Sequence, residues 1–197
     1  MRLSVIIPYY NRRDKLLNVI HSIDFSYPIE IILVDDGSDS EHEVYDIAAM
    51  YPAINLIRLE KRQWKGAAVP INIGFRAAHG NMIMINSSEC MHIGNVIGYV
   101  FKNFKSNSYM AFSALMGSRH LRVDDMSWDK PKRFMKQVAH INKRYESPSD
   151  RTWWGVHSTV GNYIAYCAVI SKANMELLGG YDERFMSGVG FDDYDFT

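Results

Sequence analysis

The sequence predicts an α/β fold, a mostly parallel, twisted sheet with helices on both faces. Three observations carry this. Short branched-apolar runs recur through the first half of the chain, at Leu3–Ile7, Ile29–Val34, Ile54–Leu59 and Met82–Ile85. Runs so short and so apolar read as strands buried on both faces. The segments between the first three runs, and before the fourth, place apolar residues at helical spacing, the alternation expected of parallel crossover units. The runs also end in polar residues, and in open α/β sheets ligands bind outside the carboxyl ends of the strands.

The 197 residues fit one domain with a substantial core. Lys and Arg total 22 and so do Asp and Glu, so no net field draws nucleic acid or an anionic membrane. Cys90 and Cys167 lie far apart without metal-ligand spacing. A disulfide framework and a zinc site are both disfavoured, and a reducing cytoplasm is the expected setting. The first apolar run is too short for a signal peptide or a transmembrane helix, and no later run approaches membrane-spanning length.

Leu3–Ile7 is the first strand, expected to stop at Pro8, which cannot donate to a ladder. Tyr9-Tyr10-Asn11 forms the loop beyond it. Asp14–Ile23 carries Leu16, Leu17, Ile20 and Ile23 at helical spacing, a helix with one buried stripe. Pro28 breaks the connection, and Ile29–Val34 runs into Asp35-Asp36-Gly37-Ser38. Asp35 and Asp36 are thus candidate ligand residues by position. An ordinary Asp-Gly turn ahead of a helix cap is the plain alternative.

Ser38 or Ser40 is expected to cap a helix over Glu41–Met50, whose first turn is acidic. Pro52 ends it, and Ile54–Leu59 is a third strand. Ala67–His79 is a helix interrupted early by Pro70, with Gly80 as its left-handed cap. Met82–Ile85 is a fourth strand, running into Asn86-Ser87-Ser88-Glu89. Three polar clusters, Tyr10-Asn11, Asp35-Asp36 and Asn86 to Glu89, therefore converge on one sheet edge, which is stronger than any one alone. Val96–Phe104 is a helix and Tyr109–Leu115 a further strand.

Ser118–Gly161 is long, polar and aromatic. Asp129-Lys130-Pro131 starts a helix with Phe134, Val138, Ile141 and Tyr145 on one face and basic residues elsewhere. A solvated surface helix is the favoured reading, and contact with anionic lipid or an acidic acceptor the sharper one. Insertions of this length often serve as lids or binding loops. Trp153 and Trp154 close it, a pair suited to the core or to stacking on the apolar face of a sugar. Asn162–Ser171 is a strand, and Lys172–Leu178 a short helix ended by Gly179-Gly180. Asp192, Asp193 and Asp195 then crowd together after a Gly-x-Gly turn. Such crowding needs helix amides, a metal or a transferable proton to offset it, or is an acidic first helical turn.

Four pieces in order resemble a known family: Ser4–Asn11 around Pro8, Ile32–Ser38, Asn72-Ile73-Gly74 with Ala78–Asn81, and Gly179–Phe185 with Gly188-x-Gly190-x-Asp192-Asp193. The chain resembles a family 2 glycosyltransferase of the GT-A fold over nearly its whole length. The resemblance implies a nucleotide-sugar donor, a UDP-sugar foremost, at the carboxyl edge of the sheet. Pro8, Tyr10, Asn11, Asp35 and Asp36 would hold base and ribose, and Asn72 and Asn86 would complete the nucleotide site. It implies inversion at the anomeric carbon, with Asp193 as general base and Asp192 beside it. Like charge beside it would raise the pKa of one of the two.

Residues 1–117 would then bind the nucleotide sugar, and 118–197 would bind the acceptor and carry catalysis. Trp153, Trp154 and His157 are the expected acceptor residues, for a carbohydrate or lipid-linked glycan of polysaccharide biosynthesis. The expected place of action is cytoplasmic, with peripheral contact at the inner face of the membrane.

The resemblance also implies Mn²⁺ or Mg²⁺ on the donor diphosphate, held by an Asp-x-Asp after the fourth strand. Asn86, Ser87 and Ser88 stand there instead, followed by Glu89. Ser88 and Glu89 are the expected metal ligands, although neutral oxygens bind a hard cation less strongly than carboxylates. Lys65 or Arg76 would offset diphosphate charge if the metal is weak. A non-catalytic sugar-nucleotide or glycan-binding module is the alternative function. A nucleotidyltransferase ranks lower, because the loop after the first strand lacks glycine. The end at Thr197, just past the acidic cluster, fits an excised domain or an unusually short enzyme.

Overall fold

The structure is a computed structural model that describes residues 1–60, 66–112, 114–115, 153–154 and 166–187. Strands β1 (Leu3–Tyr9), β2 (Ile29–Asp35), β3 (Ile54–Arg58) and β4 (Met82–Asn86) alternate with helices α1 (Arg13–Ser22), α2 (Tyr45–Met50) and α3 (Ala68–Ala77). Helix α4 (Val96–Asn103) follows, then strands β5 (Met110–Ala111), β6 (Ala114–Leu115), β7 (Trp153–Trp154) and β8 (Cys167–Ser171), and helix α5 (Lys172–Leu178).

The main sheet runs β3-β2-β1-β4-β8-β5. The first four strands are mutually parallel, and β8 runs antiparallel to β4 and β5. Side chains alternate across the sheet as the pleat requires. Val5, Ile7, Ile31 and Leu33 pack with Leu16 and Val19 of α1, Ile47 of α2 and Ile97 of α4. Ile6, Ile32, Val34 and Ile83 pack on the other face with Ile71 of α3 and Met175 of α5. Helices on both faces explain why the strands read as continuous apolar runs.

Strand order reverses at β1, which has β2 on one side and β4 on the other. Its pairing with β4 ends at Ile6↔Ile85, whereas its pairing with β2 continues to Tyr9↔Asp35. The strands therefore part at their carboxyl ends, the place where such sheets open a crevice. Pro8 sits inside β1 rather than ending it, because β4 no longer pairs with the strand there.

Other expectations are corrected. The single helix over Glu41–Met50 is a tight turn at Ser40–His42 followed by α2. Glu43 between them is extended, and its carbonyl accepts from Arg13, which also pairs with Asp46. Neither Ser38 nor Ser40 caps α2, whose cap Val44 lacks a side-chain bond. Pro70 falls in the first turn of α3, where its missing N–H has no helical partner to lose, so the helix is not interrupted. The strand expected over Tyr109–Leu115 divides. β5 joins the main sheet, and β6 pairs with β7 in a separate ribbon. The strand expected over Asn162–Ser171 is described from Cys167 onward. The basic helix near residues 129–145 lies outside the described residues.

Gly80 is not a left-handed cap either. The cap of α3 is Ala78, in extended conformation. Glycine is needed at 80 for space, since a Cβ would lie 2.6 Å from Ser4 Oγ and 2.7 Å from the Arg2 carbonyl. The close approach belongs to a network at the amino end of the sheet. The buried Glu30 carboxylate accepts from Ser4 Oγ at 2.5 Å, His79 N–H at 2.7 Å and Gly80 N–H at 3.1 Å, and pairs with Arg2 at 3.0 Å. Burial pushes the Glu30 pKa up, but Ser4, the His79 amide and Arg2 outweigh it and hold the carboxyl below its usual range. The folded state thus binds fewer protons than the unfolded chain at acid pH. Its contribution is complete above the unfolded pKa of 4.5 and is lost as pH falls through the lower folded value. Glu30→Gln is expected to flatten the acid limb of a urea-monitored stability profile below that point and leave the slope above pH 6 unchanged.

Candidate functional site

The parted ends of β1, β2 and β4 carry the predicted polar clusters. After β1, Tyr9 is buried and its hydroxyl donates to the His42 carbonyl at 2.7 Å, while Tyr10 is half-buried. Asn11 adopts φ 52°, a left-handed conformation that asparagine tolerates better than most residues. Its backbone N–H donates to Ser38 Oγ at 3.0 Å. Its side chain donates to Asp39 Oδ2 at 2.6 Å and accepts from Asp39 N–H at 2.8 Å. The loops after β1 and β2 are thereby laced into one wall.

Asp35 is fully buried, and its carboxylate accepts from Ser38 N–H at 2.9 Å and from Arg58 at 2.7 Å. Arg58 also donates to the Ser38 carbonyl at 2.9 Å, reaches Glu43 at 3.3 Å and lies 5.7 Å from the Tyr45 ring centroid. Asp35 thus holds the turn after β2 together through Ser38 and Arg58. Asp36, also buried, donates its N–H to the Tyr9 carbonyl at 2.9 Å and follows directly at the crevice rim. Sequence reasoning missed Arg58. The available signal was its position at the end of β3, where it pairs in register with Asp35.

Asn86 turns inward. Its amide donates to the Ser87 and Cys90 carbonyls, both at 3.0 Å, and its Oδ1 lies 3.1 Å from His92 Nε2. His92 is buried, and burial pushes its pKa down to about 4, so the ring is neutral. Asn86 thus shapes the loop after β4, and Ser88 in that loop is buried as well. Glu89 is exposed and pairs with both Arg12 and Lys15 through the same carboxylate oxygen, Oε1. Burial works to raise the Glu89 pKa, and the Lys15 and Arg12 hydrogen bonds and charges override it, holding the carboxyl below its usual range.

Asn72 of α3 is buried. It donates to the Tyr181 carbonyl at 2.8 Å and to Glu183 at 2.9 Å, and accepts from Tyr181 N–H at 2.8 Å. Gly180 beside it has φ 82°, and a Cβ there would lie 2.5 Å from Asn72 Oδ1. Asn72 therefore anchors the segment that leads toward the acidic cluster. Arg76 lies 3.9 Å from Glu183. Trp153 and Trp154 form β7, paired with Leu115 and Ala114. Lys65, His157, Asp192 and Asp193 lie outside the described residues.

The donor set at 86–89 does not fit a divalent cation. The Asn86 amide is used internally, Ser88 is neutral and buried, and the one carboxylate holds two cationic side chains. Among the described residues no group of three or more His, Cys, Asp or Glu could hold a metal ion. Among them, too, no helix is long and apolar enough to cross a membrane.

Residues 4–172 match the model of the family described as glycosyl transferase family 2. A dolichol-phosphate mannosyltransferase from Pyrococcus furiosus is 30% identical over 157 residues, covering 77% of this chain and 43% of that protein. Two solved structures share the fold. A mannosyltransferase from Pyrobaculum calidifontis in complex with GDP-Man and Mn²⁺ aligns over 91% of this chain and 47% of its own, at TM-score 0.57 and 18% identity. An S. aureus TarS fragment in complex with UDP aligns over 98% of this chain and 53% of its own, at TM-score 0.62 and 18% identity. The chain spans about half the length of these proteins, or less.

Proposed function

The chain belongs to glycosyl transferase family 2, and from that premise we propose that it moves a sugar from a nucleoside-diphosphate sugar to a carbohydrate or lipid-linked acceptor, with inversion. The observation that carries the proposal is the crevice where β1 parts from β4, walled by the laced loops after β1 and β2 and by the loop after β4. A nucleoside lies against Tyr10, Asn11 and Asp36 in this reading, with Pro8 at the crevice floor. Asp35 acts through Arg58 and Ser38, by fixing the turn that presents Asp36. Asn86 acts through the loop it shapes, and Asn72 through the Tyr181 segment it anchors.

The chemistry is a displacement. Asp193 takes the proton of the acceptor hydroxyl as that oxygen bonds to the anomeric carbon. The bond from that carbon to the diphosphate breaks, and the nucleoside diphosphate leaves. Asp192 orients the acceptor, and Trp153, Trp154 and His157 contribute to its binding. The relatives support a nucleotide-sugar donor of the UDP or GDP type. The expected Mn²⁺ or Mg²⁺ finds no fitting donor set among the described residues, and no step is routed through it.

A donor panel tests the reading. Transfer or hydrolysis with UDP-, GDP- and dTDP-sugars is expected for at least one of them, and failure of every donor to bind at millimolar concentration would sink it. The misfit at 86–89 favours one second reading, a sugar-nucleotide-binding module without turnover. Binding in calorimetry with no turnover for any donor and acceptor would select that reading.

A further inference from the structure

Arg12 and Lys15 come from the cap and first turn of α1, beside the crevice, and converge on one carboxylate oxygen of Glu89 from the loop after β4. All three side chains are more than a third exposed. Two cations on one surface carboxylate is more positive charge than the pairing needs. Surface ion pairs of this kind are weak and exchange partners readily. The side chain of the α1 cap residue, Arg12, makes no hydrogen bond to the first turn of the helix. Asp14 is the opposing charge in that turn, and it too is exposed. The residues where a divalent cation is expected do not fit one, so a donor diphosphate needs its charge met by other means.

We propose that Arg12 and Lys15 are the diphosphate-binding cations of this chain, and that Glu89 is their resting counter-ion, displaced when the donor binds, rather than a metal ligand. This rests on the reading that the carboxyl edge of the sheet takes a nucleoside-diphosphate sugar. The carboxylate of Glu89 stands where a phosphate oxygen goes. The guanidinium suits two phosphate oxygens at once, and the ammonium adds a point charge. In the absence of donor, Glu89 keeps the two like charges from repelling each other. The loop positions also follow, since Arg12 lies one residue past Asn11 and Glu89 three past Asn86. The cation pair thus bridges the nucleoside wall and the loop after β4.

Glu89→Gln separates this from metal ligation by the sign of its effect. Calorimetry with UDP and with uridine as probes, in EDTA and in Mn²⁺, reads it. Wild type is expected to bind UDP in EDTA within about threefold of its affinity in Mn²⁺. Glu89→Gln is expected to tighten UDP binding by about three- to tenfold, through loss of a competing anion. Arg12→Gln and Lys15→Gln are each expected to weaken UDP binding by about tenfold, the loss of one charge-assisted contact. Uridine affinity should stay within about twofold in all three variants. UDP binding lost in EDTA, or unchanged or weakened in Glu89→Gln, overturns the proposal and leaves the donor reading intact. Equal losses for UDP and uridine in the arginine and lysine variants overturn it as well. If neither probe binds under any condition, the donor reading fails and takes this proposal with it.

Discussion

Asp193→Asn is expected to remove transfer while donor binding persists. A general base contributes about 10²- to 10⁴-fold to a proton-transfer step, and asparagine has no basic oxygen at neutral pH. The loss should appear in kcat, with UDP affinity within about twofold of wild type, because the proposed role of the side chain is on the acceptor hydroxyl. Asp192→Asn should cost less and should raise the acceptor KM. The two aspartates follow the segment that Asn72 holds through Tyr181 and Glu183, so α3 is the fixed reference from which this segment departs. Single-turnover kinetics with saturating donor separates the two roles. Turnover retained in Asp193→Asn would remove the base assignment.

The second large effect is on stability. Arg58→Met leaves the Asp35 carboxylate fully buried with the Ser38 amide as its remaining described partner. Breaking a buried pair by removing one member costs about 3 kcal/mol or more, because an uncompensated charge is left in a low dielectric. Arg58 itself is a quarter exposed, which places the expected loss at the lower end of that range. Guanidinium denaturation should show the midpoint falling with little change in slope. Asp35→Asn with Arg58→Met should recover part of the loss, since the neutral amide needs no cation. A double variant no more stable than Arg58→Met would mean that Arg58 contributes mainly through Glu43, Ser38 and Tyr45 rather than through Asp35.

The frame of this fold was legible because strands buried on two faces leave an unmixed apolar signature. Leu3–Ile7, Ile29–Val34, Ile54–Leu59 and Met82–Ile85 each appear as a strand within one or two residues. Chain direction and the positions of the polar clusters follow from that alone. What the side chains do at the edge was not legible. Asp35 and Asn86 are candidate ligand residues by position and Asn72 by the family resemblance, and their bonds to Arg58, Cys90 and Tyr181 appear only in the structure. Those partners depend on register and on contacts as distant as 109 positions, which no local pattern records. The break between the Ser40 turn and α2 was hidden for the same reason, since Arg13 from another element takes the Glu43 carbonyl. Gly80 was read as a cap by its position after a helix, but its constraint comes from Ser4 and Arg2 across the sheet. The alternation that marks the first half fades after Leu115, where short strands pair far from their sequence neighbours.

A crystal structure of the full chain soaked with UDP tests the central claim most directly. The uridine is expected in the crevice between β1 and β4, against Tyr10, Asn11 and Asp36, with the diphosphate directed toward Arg12 and Lys15. UDP bound elsewhere, such as at the opposite edge near Ser4 and Glu30, or no UDP at millimolar soak, would contradict it.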